Sequence, residues 1–232
     1  MFRTRTTAAA ASAALVIAGL TVGLDAATAN AASGCEVRSF ETKKDISTVG
    51  ITHTYEKYAT ADSIGVGTTV TYKIVVGTTG IGNPYVNTIT DFPAAGLGAP
   101  IKTSVTAYHA GTGQRTEDVT AVPNAGGWKV TSTGWFVNSG NPVTLTITYP
   151  LNDSIKAGQQ VTSGGVGVAG TVGVSNEMSG LTSCFTARGA NAGETVLGSL
   201  GDNGLGSADG QLSSTGSFSD ILSDMLKKFL GS

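Results

Sequence analysis

Charge is scarce in this sequence. Asp, Glu, Lys and Arg make up 13% of its residues and leave a formal net charge of −2 at pH 7. So nearly neutral a chain has no basic stripe for nucleic acid and no polycationic face for an anionic membrane, and both are excluded as charge-driven partners. Histidine is limited to two residues, His53 and His109, each without carboxylates or cysteines at ligand spacing. That argues against a metal site, and no cofactor is expected. Tryptophan and cysteine are also limited to two each. No GxSxG, HExxH or paired-carboxylate signature is present, so the reading is non-enzymatic, with a secreted hydrolase ranked last. The best lone carboxylate for such a hydrolase is Asp91, although an acid ahead of a Pro-Gly turn ordinarily stabilises the turn.

A long unbroken apolar run is missing too. The most apolar stretch, Ala8 to Leu24, is interrupted by Thr21 and Gly23 and followed by Asp25, which argues against a membrane-spanning helix. It is preceded by Arg3 and Arg5 and followed by Ala29-Asn30-Ala31. Basic start, apolar middle and A-x-A end together read as a signal peptide over 1–31. The alternative of a lipoprotein anchored at Cys35 ranks lower, because Ala32-Ser33-Gly34 lacks the usual Leu before the small residues. Loss of Arg3, Arg5 and Asp25 with the signal takes the net charge from −2 to −3. No transmembrane span is expected once the signal is gone, and the protein is expected to be secreted or at the cell surface.

What the chain has in quantity is glycine, 33 residues, together with threonine and valine. The middle of the chain alternates. Val70, Tyr72, Ile74 and Val76 fall on every second residue, with Thr69, Thr71 and Lys73 between them. This is the period of a half-buried strand. Gly77 to Pro84 supplies turn residues, and Tyr85–Thr90 resumes an extended run, which reads as a central hairpin. Further strands are expected over Glu36–Glu41, over Ile51 to Tyr55 with His53 on the inner face, at Ile101 to Ala107, at Val119–Val122, at Val143–Tyr149 and at Leu181–Ala187. Gly111–Arg115 reads as a loop, and Asn124-Ala125-Gly126-Gly127 as a turn. Trp128-Lys129-Val130 and Trp135-Phe136-Val137 read as an aromatic hairpin across Ser132-Thr133-Gly134. The Gly/Val run from Val161 to Val174 has no P-loop lysine and no helix behind it, so its glycines signify bulges or close strand packing. Eight or nine strands without a helical pattern among them predict an all-β, immunoglobulin-like antiparallel sandwich over 32–188.

Cys35 and Cys184 bracket that domain. In an exported protein such a pair reads as a disulfide rather than as redox thiols, since neither a C-x-x-C nor an electropositive neighbourhood is present. Closing so long a loop is worth about 5 kcal/mol at most.

Composition changes at Gly189. Residues 189–216 read as a Gly/Ser-rich flexible linker, and residues 217–232 as a short helix. Phe218, Ile221, Leu222, Met225, Leu226, Phe229 and Leu230 recur at helical spacing, Asp220 lies in the first turn and Lys227 and Lys228 in the last. This is an amphipathic stripe with favourable end charges. A helix so short is marginal alone and must bury its stripe: against a protein partner, an envelope or lipid surface, a second copy, or its own sandwich. Phe218, Ile221, Leu222, Met225, Leu226 and Phe229 are therefore the expected partner-binding residues.

Residues Gly67 to Val76, the glycine-rich turn after them, and Thr90-Asp91-Phe92-Pro93-Ala94-Ala95-Gly96-Leu97 resemble the bacterial conserved repeat domain of unknown function number eleven. Val143–Tyr149 with Ala157-Gly158 is similar to the second half of that domain, and the resemblance spans about Ile64 to Arg188. It implies an immunoglobulin-like module of surface or secreted proteins, here in one copy, and carries no catalytic residues with it. The Ala-rich, Arg-bearing start also looks like that of actinobacterial exported proteins. The expected function is a non-catalytic secreted or envelope-associated interaction module. The alternative is a carbohydrate- or wall-binding module that stacks sugars on Trp128 and Trp135, with Tyr108 beside them.

Overall fold

A computed structural model describes residues 34–45, 50–80 and 83–194. The expected signal peptide and the expected tail helix, with Phe218, Ile221, Leu222, Met225, Leu226 and Phe229, lie outside these residues.

In chain order the strands are β1 (Arg38–Lys44), β2 (Thr52–Ala59), β3 (Ser63–Gly65), β4 (Thr69–Thr78), β5 (Tyr85–Asp91), β6 (Lys102–His109) and β7 (Gly113–Asp118). They continue as β8 (Val122–Asn124), β9 (Gly127–Phe136), β10 (Val143–Pro150), β11 (Gln160–Thr162), β12 (Val166–Gly170), β13 (Asn176–Met178) and β14 (Cys184–Arg188). One hydrogen-bonded path runs β1-β2-β4-β10-β6-β9-β5-β12-β13, with β7 on β6 and β8 on β9. At β6 and β9 that path narrows to a single pair, Tyr108 opposite Phe136. This pair is a corner. On one side of it β1, β2, β4, β10, β6 and β7 make a first leaf; on the other β8, β9, β5, β12 and β13 make a second. The leaves face each other, since the Tyr55 hydroxyl on β2 donates to the Val174 carbonyl and the Tyr149 hydroxyl on β10 donates to Asp91 on β5. The chain is therefore an all-β sandwich, immunoglobulin-like in its two antiparallel leaves over one core. A third, smaller sheet, β11-β14-β3, departs from the antiparallel rule in its β14–β3 pair, which is parallel.

Alternation builds the interior. Strand β10 buries Val143, Leu145, Ile147 and Tyr149 completely and turns its threonines to the other face. There Thr148 and Thr71 on β4 share a hydroxyl hydrogen bond of 2.9 Å. Each large aliphatic side chain removed from water in this way stabilises the fold by roughly 1.5–3 kcal/mol. Strand β4 meets it with Val70, Tyr72, Ile74 and Val76, all fully buried. Alternation continues along β2, where His53, Tyr55, Lys57 and Ala59 are the inward residues.

Pairing departs from the expectations in several places. Strands β4 and β5 do not form a hairpin: β4 pairs with β2 and β10, and β5 with β9 and β12. The two strands therefore lie on opposite leaves. The two tryptophan segments do not form a hairpin either, because both lie on the single strand β9. Ser132-Thr133-Gly134 is a bulge, opposite the one residue Asn87 that separates the paired positions Val86 and Thr88. Its geometry is held by Gly134 at φ +147°, by the Gly134 amide donating to the Ser132 hydroxyl, and by the Asn87 amide donating to the Thr133 carbonyl. Ser and Gly suit a bulge as well as a turn. The segment expected as a loop at 111–115 instead enters β7, which pairs back on β6. The strand expected at Val119–Val122 begins at Val122, and the first strand begins at Arg38 rather than Glu36.

Several expectations hold. Asn124 to Gly127 is the tight turn between β8 and β9, with Ala125 and Gly126 both at positive φ. In the Gly/Val run, a Cβ on Gly165 would collide with the Met178 carbonyl and one on Gly170 with the Tyr85 carbonyl, so those glycines permit close strand approach. Cys35 and Cys184 are bonded, closing a separation of 149 residues. Beyond β14, Arg188 grips both carboxylate oxygens of Glu194 at 2.7 and 2.6 Å. Asn191 and Glu194 exchange side-chain-to-amide hydrogen bonds in a capping box. The start of the expected linker is thus bonded to the sandwich.

Candidate functional site

Polar side chains inside an apolar sandwich are costly unless they are paired, so they are where function or special structure is to be sought. The strongest cluster here lies between the leaves. Period-2 alternation carries Lys57 inward on β2, and Asp91 is the last residue of β5, paired with Trp128 on β9 and Val166 on β12. Both side chains have 0% exposure, and Lys57 Nζ stands 2.6 Å from Asp91 Oδ1. The approach is close but lies outside hydrogen-bond angles, and Oδ1 has no aligned donor. The other carboxylate oxygen, Oδ2, accepts the Tyr149 hydroxyl at 2.6 Å. The ammonium donates to the Gly164 carbonyl at 2.8 Å and, at longer range, to the carbonyls of Phe92 and Gly165. It also lies 5.2 Å from the centre of the Tyr72 ring, within cation–π range.

Burial sets the titration of this cluster. Desolvation pulls the Lys57 pKa below the ordinary lysine value, against the opposing pull of Asp91. Desolvation first, and the Asp91 charge second, push the phenols of Tyr149 and Tyr72 well above their usual value. Tyr149 is therefore a neutral O–H donor at physiological pH.

A second polar tie lies further along β2. His53 is fully buried and shares a 3.0 Å hydrogen bond from Nε2 with the Val172 carbonyl. Desolvation lowers its pKa despite that bond, so the ring is neutral and Nε2 is the donor. Its Nδ1 has no partner. Val172 itself sits at φ +50°, a left-handed conformation that a β-branched residue seldom adopts. The His53 and Tyr55 side chains grip this strained turn from the opposite leaf, at Val172 and Val174.

The sequence-derived candidates fare unequally. Cys35 and Cys184 form the expected disulfide. Asp91 is not a turn acceptor but a buried strand residue held by Lys57 and Tyr149. Trp135 is 3% exposed and its indole N–H donates to Glu117 at 2.7 Å, so its ring belongs to the core. Trp128 is partly buried against that core, and Tyr108 packs on the Phe136 ring 5.5 Å away. With its ring in the core, Trp135 offers no open face on which a sugar could stack. Among the described residues no group of three or more His, Cys, Asp or Glu side chains is placed to hold a metal ion. A shallow open depression of about 320 Å³ beside Ile155 carries Asp153 and Lys156 at its rim. No helix among the described residues is long and apolar enough to cross a membrane.

Lys57 was the residue that sequence reasoning passed over. The available signal was its place two residues beyond Tyr55 in the His53, Tyr55 alternation, which sends a lysine to the core face. A lysine there implies a buried anion within reach.

No protein-family profile matches the chain, and no curated protein matches it in sequence. Among solved structures, the RrgA Jo.In complex is 14% identical with a TM-score of 0.33, over 57% of this chain and 76% of that one. The pilus backbone protein RrgB from Streptococcus pneumoniae is 16% identical with a TM-score of 0.32, over 49% of this chain and 50% of that one. A DUF4466 family protein from Parabacteroides merdae is 11% identical with a TM-score of 0.33, over 66% of this chain and 43% of that one. These are partial, distant overlaps of fold, and no property of those proteins is carried over.

Proposed function

We propose that this chain is a non-catalytic, secreted or envelope-associated module, in which the sandwich is a rigid scaffold and the C-terminal segment docks it to a partner. One observation carries the scaffold half of this reading. Five buried titratable side chains, His53, Tyr55, Lys57, Asp91 and Tyr149, are used in bonds from one leaf to the other. These five groups are turned inward, away from solvent, and tie the two sheets. The Cys35–Cys184 bond supports folding in an oxidising compartment, in agreement with the export signature over 1–31. The docking half rests on the apolar stripe of Phe218, Ile221, Leu222, Met225, Leu226 and Phe229, which follows a Gly/Ser-rich stretch.

Fractionation of cells that express the full chain, or a version ending at Gly216, tests this reading. Retention of the full chain on the envelope with release of the shorter one to the medium is the expected result. If both are found in the same fraction with the same oligomeric state, the docking role is wrong.

A further inference from the structure

An amine and a carboxyl group held together in a dry site are the two halves of an amide. Lys57 Nζ and the Asp91 carboxyl meet these conditions: both are inaccessible to solvent, they belong to opposite leaves, and Nζ lies 2.6 Å from Oδ1 without making an aligned hydrogen bond to it. We propose that Lys57 and Asp91 are a self-modification site, joined in the folded protein by an intramolecular amide bond between Nζ and Cγ.

The step balances without any co-reactant. A proton passes from the Lys57 ammonium to the Asp91 carboxylate, leaving a neutral amine beside a neutral carboxylic acid. The Nζ lone pair attacks Cγ and the C–N bond forms. The carbonyl electrons move onto Oδ2, where the Tyr149 hydroxyl already donates a 2.6 Å hydrogen bond and steadies the developing oxyanion. Oδ1 takes a second proton from nitrogen, the Cγ–Oδ1 bond breaks, and one water leaves. Nothing is oxidised or reduced.

Three features of the site favour this course over a permanent ion pair. Desolvation lowers the lysine's hold on its proton, so the nucleophilic amine is accessible. Fixing both groups on strands of opposed sheets replaces a bimolecular encounter with a unimolecular one, a large source of rate. The product also relieves the core. Two buried charges, each costly to remove from water, become one neutral amide. Every hydrogen-bonding group of that amide already has a partner. Its N–H faces the Gly164 carbonyl, which accepts from Nζ at 2.8 Å, and its C=O keeps the Tyr149 hydroxyl. The unaligned atom, Oδ1, is the one that departs.

Intact mass of the secreted protein, measured after reduction and denaturation in acid, tests the proposal. The chain is expected about 18 Da lighter than its reduced sequence, the mass of one water. Proteolysis is expected to yield one branched peptide that joins the Lys57 segment to the Asp91 segment. In Asp91→Asn the same branch forms with loss of ammonia, about 17 Da. Lys57→Arg carries no deficit. A wild-type mass equal to that of the reduced sequence, or a deficit mapped to any other pair of residues, overturns the proposal. The wild-type measurement decides the matter even if both variants fail to fold.

Discussion

Lys57 and Asp91 show how far a single inward-facing position can govern the interior. Neither could be buried alone, since an unpaired charge in an apolar core costs several kcal/mol. Together with the Tyr149 hydroxyl they satisfy most of one another's needs. Lys57→Met strands Asp91, and adding Asp91→Leu to it is expected to raise stability over the single variant by about 3–5 kcal/mol in urea unfolding. If the double variant is no better than the single one, the pair is not the coupled unit described. His53 gives a second, pH-dependent consequence. Its native pKa lies below the ordinary value of 6.5, so the unfolded state takes up the proton first as pH falls. Stability is then fully present above about pH 6.5 and is lost as pH falls from there toward the native pKa. Melting temperatures read between pH 7.5 and 5.5 are expected to drop in the wild type and to flatten over that window in His53→Gln.

The strands were legible in the sequence because alternation is a local signal. Val70 to Val76 and Val143 to Tyr149 alternate without a fault and are strands with those residues buried. Pairing is not local. Strands β4 and β5 follow one another in sequence with turn residues between, yet lie on opposed leaves, and nothing in Gly77 to Pro84 distinguishes a hairpin from a crossover. Ser132-Thr133-Gly134 failed for a related reason, since the residues that permit a turn also permit a bulge. Asp91 was assigned to its neighbouring Pro-Gly turn because its true partners, Lys57 and Tyr149, lie far along the chain. The Asn124–Gly127 turn was read correctly and offers its own test. Both central residues have positive φ, and alanine is poorly suited to the first. Ala125→Asn is expected to stabilise the protein by about 0.5–1 kcal/mol, measured as a rise in the urea midpoint at unchanged slope. A fall in the midpoint would mean that the turn does not have this form.

Across the whole molecule, ties of different chemistry converge on one outcome. The disulfide joins the segment ahead of β1 to β14, the middle strand of the smaller sheet. Tyr55 and His53 hold the turn after β12, and the Lys57–Asp91–Tyr149 cluster pins β2 and β10 to β5. A scaffold built in this way has no leaf that opens by itself. Amide hydrogen exchange of the oxidised protein tests that claim most directly. The central strands of both leaves, β4 and β10 on one side and β5 and β12 on the other, are expected to exchange in a single slow class, at the free energy of global unfolding. Exchange of β5 and β12 through a separate opening of much lower free energy, with β4 and β10 still protected, would contradict the account.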